Sequence, residues 1–199
     1  MIQLYNLVKG DVELVAELER PKAFKCGTFG HSSLAERHLA TGDFAGEVAI
    51  WDLERLTTPI FQVPQAHSTI INCIDGIGGL KGAGAPELVT GGRDGCVHVW
   101  DPRQSDKPVA SMEPEEGAPA RDCWSVSFGD AHSADDRCVV AGYDNGDVKL
   151  FDLAAGKLRW ETNVSNGVCG VEFDRKDIAI NKLVVTTLES RFRLYDMRT

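Results

Sequence analysis

His67 and Asp94 are the residues whose types most readily suggest chemistry: an imidazole with an orienting carboxylate is the usual make-up of a general base. The sequence supplies no third partner for them. It has no nucleophile motif and no close carboxylate pair, so an acid–base enzyme is not the expected reading. Six cysteines, Cys26, Cys73, Cys96, Cys123, Cys138 and Cys169, form no CxxC spacing. A metal site is therefore not expected. Their apolar settings read as reduced, buried thiols acting as small hydrophobes. One stretch is rich in glycine, with Gly76, Gly78, Gly79, Gly82 and Gly84. A phosphate cradle needs a following helix and a Lys-Ser or Lys-Thr pair. Here Lys81 is followed by Gly82 and the segment joins two strands, so no nucleotide or other cofactor is expected.

Composition narrows the class. Apolar residues make up 43% of the 199, enough to bury a core. The net charge is −9 with scattered acids, which speaks against nucleic acid and against an anionic membrane surface as partner. No apolar run approaches the roughly 18 residues of a membrane span. The opening Met1-Ile2-Gln3-Leu4-Tyr5 has no signal-peptide design. The expectation is a soluble, cytoplasmic protein.

The elements that must position these residues are visible in an internal repeat. An aromatic followed by Asp or Asn recurs at Tyr5-Asn6, Trp51-Asp52, Trp100-Asp101, Phe151-Asp152 and Tyr195-Asp196. Five residues before the last four aromatics stands Gly46, Gly95, Gly146 or Ser190, and nine before stands Gly42, Gly91, Gly142 or Thr186. One and three before, every unit is apolar: Leu4 and Ile2, Ile50 and Val48, Val99 and Val97, Leu150 and Val148, Leu194 and Phe192. That period of two marks a strand, and the small residue five back permits a hairpin turn. Asp94-Gly95 and Asn145-Gly146 are strong signals of this kind.

Three complete four-stranded units follow, with strands near 24–29, 38–42, 47–53 and 59–63; 70–75, 87–91, 96–101 and 108–112; and 123–128, 137–142, 147–153 and 158–162. Ile2–Leu7 and Val12–Leu18 read as the last two strands of one flanking unit. Val168–Phe173, Leu183–Thr187 and Arg191–Met197 read as the first three of another. The expected division is a partial blade 1–20, blades 21–66, 67–114 and 121–163, and a partial blade 164–199.

This pattern resembles the WD repeat, which implies an all-β propeller. In that family a His, a Ser or Thr, an Asp and a Trp form a hydrogen-bond chain tying the loop before a blade to its central hairpin. The second unit has the set as His67, Thr90, Asp94 and Trp100. The others carry Ala45, Asn145 and Glu189 at the Asp position and no matching His. The resemblance therefore assigns His67 and Asp94 a structural role.

Longer strings narrow it further. The runs Lys25–Gly30, Ile74–Leu80, Trp100–Gln104, Arg121–Trp124, Ala141–Asp147, Leu158–Asn163 and Glu172–Asp177 are similar to the WD-repeat dynein axonemal assembly factors. The resemblance spans essentially the whole sequence. It implies a non-catalytic cytoplasmic scaffold with a seven-bladed propeller. Its implied partners are a prefoldin-like co-chaperone assembly and axonemal dynein heavy chains, with a further link to apoptosis. Measured against that family, an N-terminal segment and about two blades are wanting, so a fragment of a seven-bladed ring is expected. The alternative is a closed four-blade ring in which Val12–Leu18 pairs with Arg191–Met197.

A blade packs both faces against neighbours, which leaves loops and rims for binding. The hairpin turns and the loops leading into each blade share one face. They nominate Phe44, Arg93, Arg121, Asp122, Trp124 and Tyr143 as partner-binding residues, types enriched at hot spots or loop rims. A competing reading, a phosphopeptide or acidic-motif reader, leans on Arg93, Arg121, Arg191 and Arg193. His98 is expected as a surface strand residue, and His31 and His132 as loop residues.

Overall fold

A computed structural model describes residues 1–33, 35–78, 84–104, 107–117 and 119–198. Part of the glycine-rich stretch, including Gly79, Lys81 and Gly82, lies outside the described residues. Seventeen strands are described: β1 (Ile2–Val8), β2 (Asp11–Leu18), β3 (Phe24–Thr28), β4 (Leu39–Asp43), β5 (Val48–Trp51), β6 (Phe61–Val63), β7 (Ile71–Ile77), β8 (Glu87–Gly92), β9 (Val97–Trp100), β10 (Ala110–Met112), β11 (Cys123–Gly129), β12 (Cys138–Tyr143), β13 (Asp147–Asp152), β14 (Lys157–Asn163), β15 (Val168–Phe173), β16 (Lys182–Thr187) and β17 (Phe192–Asp196). No helix of the described residues is long and apolar enough to cross a membrane.

Each blade is an antiparallel meander in chain order. Three sheets have four strands, β3-β4-β5-β6, β7-β8-β9-β10 and β11-β12-β13-β14; β15-β16-β17 has three and β1-β2 two. The turn between second and third strands is where the repeat places its glycines. Gly46, Gly95 and Gly146 take φ of 84, 81 and 91°, which L side chains rarely adopt, and Ser190 in the fourth unit is forced to 57°.

Period-two patterning buries both faces of a blade. In β12, Val139 and Ala141 join the core shared with the second blade, while Cys138 and Val140 join the core shared with β15–β17. In the three four-stranded blades the apolar pair before the aromatic faces the following blade. Val48 and Ile50 pack with Ile71 and Leu88, Val97 and Val99 with Val126 and Phe128, and Val148 and Leu150 with Val171 and Leu183. Each fully buried Val or Leu contributes about 1.5–3 kcal/mol, so these seams hold the blades in series.

The arc is open. β17 pairs only with β16 and β2 only with β1, so the pairing required by a four-blade ring is not made. Phe192 and Leu194, at the seam-forming positions of the last sheet, are 73% and 64% exposed. At the other end Leu7 and Val12 of the hairpin are also exposed.

Candidate protein-interaction face

The structure brings His67, Thr90, Asp94 and Trp100 together. His67 precedes β7, Thr90 lies in β8, Asp94 in the β8–β9 turn and Trp100 ends β9. Trp100 Nε1 donates to Thr90 Oγ1 at 2.9 Å, and His67 Nε2 stands 2.8 Å from that hydroxyl. His67 Nδ1 stands 3.0 Å from Asp94 Oδ1. With Nδ1 protonated, every donor finds an acceptor: Trp100 to Thr90, Thr90 to His67, His67 to Asp94. Asp94 also accepts the N–H groups of Ser68 and Cys96, at 2.9 and 3.1 Å. Burial by itself would raise the Asp94 carboxyl, but the His67 and backbone bonds outweigh it and hold it at about 2. The imidazole is buried with both nitrogens engaged, so the quartet fastens a loop and leaves no lone pair to take a substrate proton.

The first blade keeps half of this arrangement. Trp51 Nε1 donates to Thr41 Oγ1 at 2.9 Å, a pair ten residues apart like Thr90 and Trp100. Asp43 replaces the missing turn acid by accepting the Ala45 and Glu47 N–H groups, both at 2.8 Å. The Arg20 guanidinium lies 5.1 Å over the Trp51 ring and pairs with Glu47 at 2.7 Å. The spacing of Thr41 to Trp51 was available in the sequence; a search for the complete quartet overlooks it.

His98 differs from the surface residue expected. Its ring sits 4.7 Å from that of His67 and edge-on to Trp100 at 5.7 Å, with Nδ1 3.0 Å from Ser111 Oγ. Burial, and then the neighbouring His67, lower it to about 4. His31 also departs from a simple loop residue. It is 6% exposed, and burial followed by His38 lowers it to about 4. The lead-out of β3 folds back so that the His31 backbone lies against Gly76 and Gly78.

The blade-end face is built from equivalent backbone bonds. Phe44, Arg93, Asp144 and Leu188 each donate their N–H to the residue leading into their own blade, Ala23, Ile70, Asp122 and Gly167, at 2.9–3.1 Å. Phe44 and Leu188 are 48% and 60% exposed there. Arg93 is exposed and its guanidinium lies 3.7 Å from Asp122, which is half-buried. Arg121 is exposed on the adjoining loop. Trp124, half-buried at the start of β11, packs against Gly167; a methyl group added to that glycine would lie 2.7 Å from the indole and 3.0 Å from Leu188. Trp124 and Leu188 thus share one apolar patch. The turn register that marks Phe44 marks Leu188 equally.

Tyr143 does not join this face. It ends β12, pairs with Cys123, and is 6% exposed in the core between the second and third blades. Asp144, not Tyr143, occupies the register of Phe44 and Arg93, and the residue before that position points inward, as buried Asp43 does. The arginines of the phosphate-reader alternative are not gathered either: Arg193 donates to the Val164 carbonyl at 3.2 Å while Arg93 faces Asp122. Among the described residues no group of three or more His, Cys, Asp or Glu could hold a metal ion.

Stacked four-stranded meanders, the Trp–Thr–His–Asp chain and the repeated turn make the fold that of a WD40-type β-propeller. Residues 58–101, most of the second blade, match the family model for the WD domain, G-beta repeat. The designed protein Ika4 superposes with a TM-score of 0.66 at 18% identity, covering 92% of this chain and 97% of Ika4, a likeness of fold alone. The particular resemblance is to dynein axonemal assembly factor 10. The human protein of that name is 60% identical over the whole chain, and that of Chlamydomonas reinhardtii 59%. The chain spans 56% and 55% of their lengths.

Proposed function

We propose that this chain is a non-catalytic, cytoplasmic protein-binding scaffold in the preassembly of axonemal dynein arms. It acts with a prefoldin-like co-chaperone assembly on dynein heavy chains. The observation that carries this reading is the 60% identity to a named dynein axonemal assembly factor over the whole chain. The blade-end face supports a binding role: exposed Phe44 and Leu188, the half-buried Trp124 and the cations Arg93 and Arg121 supply apolar anchors beside charge. Both ring nitrogens of His67 are committed to structure, which agrees with a scaffold.

The test is quantitative co-precipitation from a ciliated cell, comparing the wild-type chain with a Phe44→Ala, Arg93→Glu, Arg121→Glu variant. Wild type is expected to retain axonemal dynein heavy chains and prefoldin-like subunits, and the variant to lose at least about tenfold while keeping its unfolding midpoint. Capture of neither protein class overturns the function. Equal capture by both forms overturns the assigned face.

A further inference from the structure

A second surface, on the outer rim, meets that face only at Arg121. The seam between the second and third blades is incompletely filled. Its third-blade aromatic is Phe151 in place of the Trp found at 51 and 100, and the partner hydroxyl of Thr41 and Thr90 is replaced by Ala141. Trp51 and Trp100 are fully buried, whereas Phe151 is only half-buried. The outermost strand here, β10, is three residues long against seven in β14, so the third blade's flank extends past it uncovered.

The result is a trough that runs along β10. Its upper part, about 310 Å³, and its middle, about 400 Å³, share Met112, Glu113 and Phe151. Val109, Ala110 and Leu153 continue it into a lower part of about 280 Å³. The floor is apolar, and Val109 and Leu158 are 42% and 43% exposed along it. β10 is the edge of its sheet, so one side of its backbone is unpaired.

Charge says what would lie there. Glu113 and Glu115 line the β10-side rim beside Arg121, and both carboxylates are exposed and without an ion pair among the described residues. Residues 67–156 carry 15 Asp and Glu against 7 Lys and Arg, the most acidic part of the chain. The opposite wall is mixed, with Lys149 and Lys157 alternating with Asp147 and Asp152. The β10-side carboxylates are the charge left unpaired along the trough, and they favour a cationic occupant. We propose that this trough docks an extended segment of a partner protein in which apolar side chains alternate with Lys or Arg. The segment adds to the free edge of β10, with its apolar side chains on Met112, Phe151 and Leu158 and its cations toward Glu113 and Glu115.

Fluorescence anisotropy of a labelled eight-residue peptide alternating Leu and Lys, titrated with the 199-residue protein, tests this. Peptides alternating Leu with Glu and Ser with Lys serve as controls. The Leu/Lys peptide is expected to bind at least tenfold more tightly than either control. Leu158→Lys, and the pair Glu113→Lys with Glu115→Lys, should each weaken it at least tenfold at an unchanged unfolding midpoint. The pair Glu13→Lys with Glu17→Lys, the same charge change on the β1–β2 hairpin, should leave it unaltered. No binding, equal binding of a control peptide, or sensitivity to the hairpin pair instead of the trough variants would each overturn the proposal. So would self-association of the protein that the trough variants abolish, since the occupant would then be a second copy.

Discussion

A single hydroxyl separates the quartet of the second blade from a packing defect. Thr90 Oγ1 accepts from Trp100 and pairs with His67, while Thr41 Oγ1 has Trp51 alone as a side-chain partner; both hydroxyls also reach a strand carbonyl, that of His98 at 3.5 Å and of Ala49 at 3.4 Å. Valine has the same shape without the hydroxyl, so Thr90→Val leaves two buried polar groups unpaired and Thr41→Val leaves one. Each orphaned group costs about 1–3 kcal/mol. Urea unfolding should therefore show a loss for Thr90→Val roughly twice that for Thr41→Val; equal losses would mean that His67 does not depend on the hydroxyl. The buried imidazoles set a pH dependence. His31 and His98 are both lowered to about 4 from an ordinary 6.5, by burial first. The unfolded chain binds their protons more readily, so protonation favours unfolding. Their stabilising share is complete above pH 6.5, falls as pH drops toward 4 and levels off below it, a loss of about 1–3 kcal/mol. Asp94 has the opposite chemistry and a lower window: its share persists down to about pH 4 and is lost as pH falls through 2. Melting temperatures from pH 7 to 2 should show two steps. His98→Gln should shrink the first and leave the second, and a profile flat between pH 6.5 and 4 would contradict the burial argument.

At the scale of the hairpin, two repeated glycines do different work. Gly46, Gly95 and Gly146 make the turn through positive φ, as the place of Gly95 after Asp94 and of Gly146 after Asn145 suggests. Gly42, Gly91 and Gly142 have ordinary strand dihedrals but no room. A methyl group on them would lie 2.6 Å from Ile71, 2.5 Å from Cys123 and 2.3 Å from Val168, each the first residue of the next blade's inner strand. Thr186 takes this position in the last sheet, where it is exposed. Gly142→Ala should thus cost about 1–3 kcal/mol by overpacking. Thr186→Gly should change stability by well under that, since Thr186 has open space to give up. Chemical denaturation midpoints of the two variants check the pair. Strand starts follow backbone chemistry too: the outer strands begin at Phe61 and Ala110, one residue or more beyond Pro59 and Pro108, which have no N–H for the ladder.

For the whole molecule, the decisive contacts join blades that are distant in sequence. Asp75 in β7 accepts the Phe128 N–H of β11 at 2.8 Å and holds the Lys176 ammonium at 2.5 and 2.6 Å. One carboxylate thereby ties the second blade to the third and to the three-stranded sheet. Ser125 Oγ repeats the device by accepting the Val171 N–H at 2.9 Å. Asp75→Ala removes both bonds and strands a buried N–H, at about 2–3 kcal/mol. Asp75→Asn keeps an acceptor for Phe128 and should cost less. Hydrogen exchange should locate the effect: in Asp75→Ala, amides of β15–β17 lose protection ahead of those of β3–β6. Uniform loss would show that the arc unfolds as one unit and that the clamp has no local role.

The sequence alone determined the hairpins, their register and the quartet. Those rest on local rules: alternation every second residue, small residues at turns, and a fixed offset from an aromatic. Phe44 and Arg93 were legible for the same reason, being turn residues at a counted position. Tertiary structure decided what depends on the neighbouring blade. It turned Tyr143 inward. It made Gly42, Gly91 and Gly142 contact points, and it left the seam beside Phe151 unfilled. Each of these outcomes is set by residues about 25 to 50 positions away across a seam, where a pattern confined to one repeat carries no information.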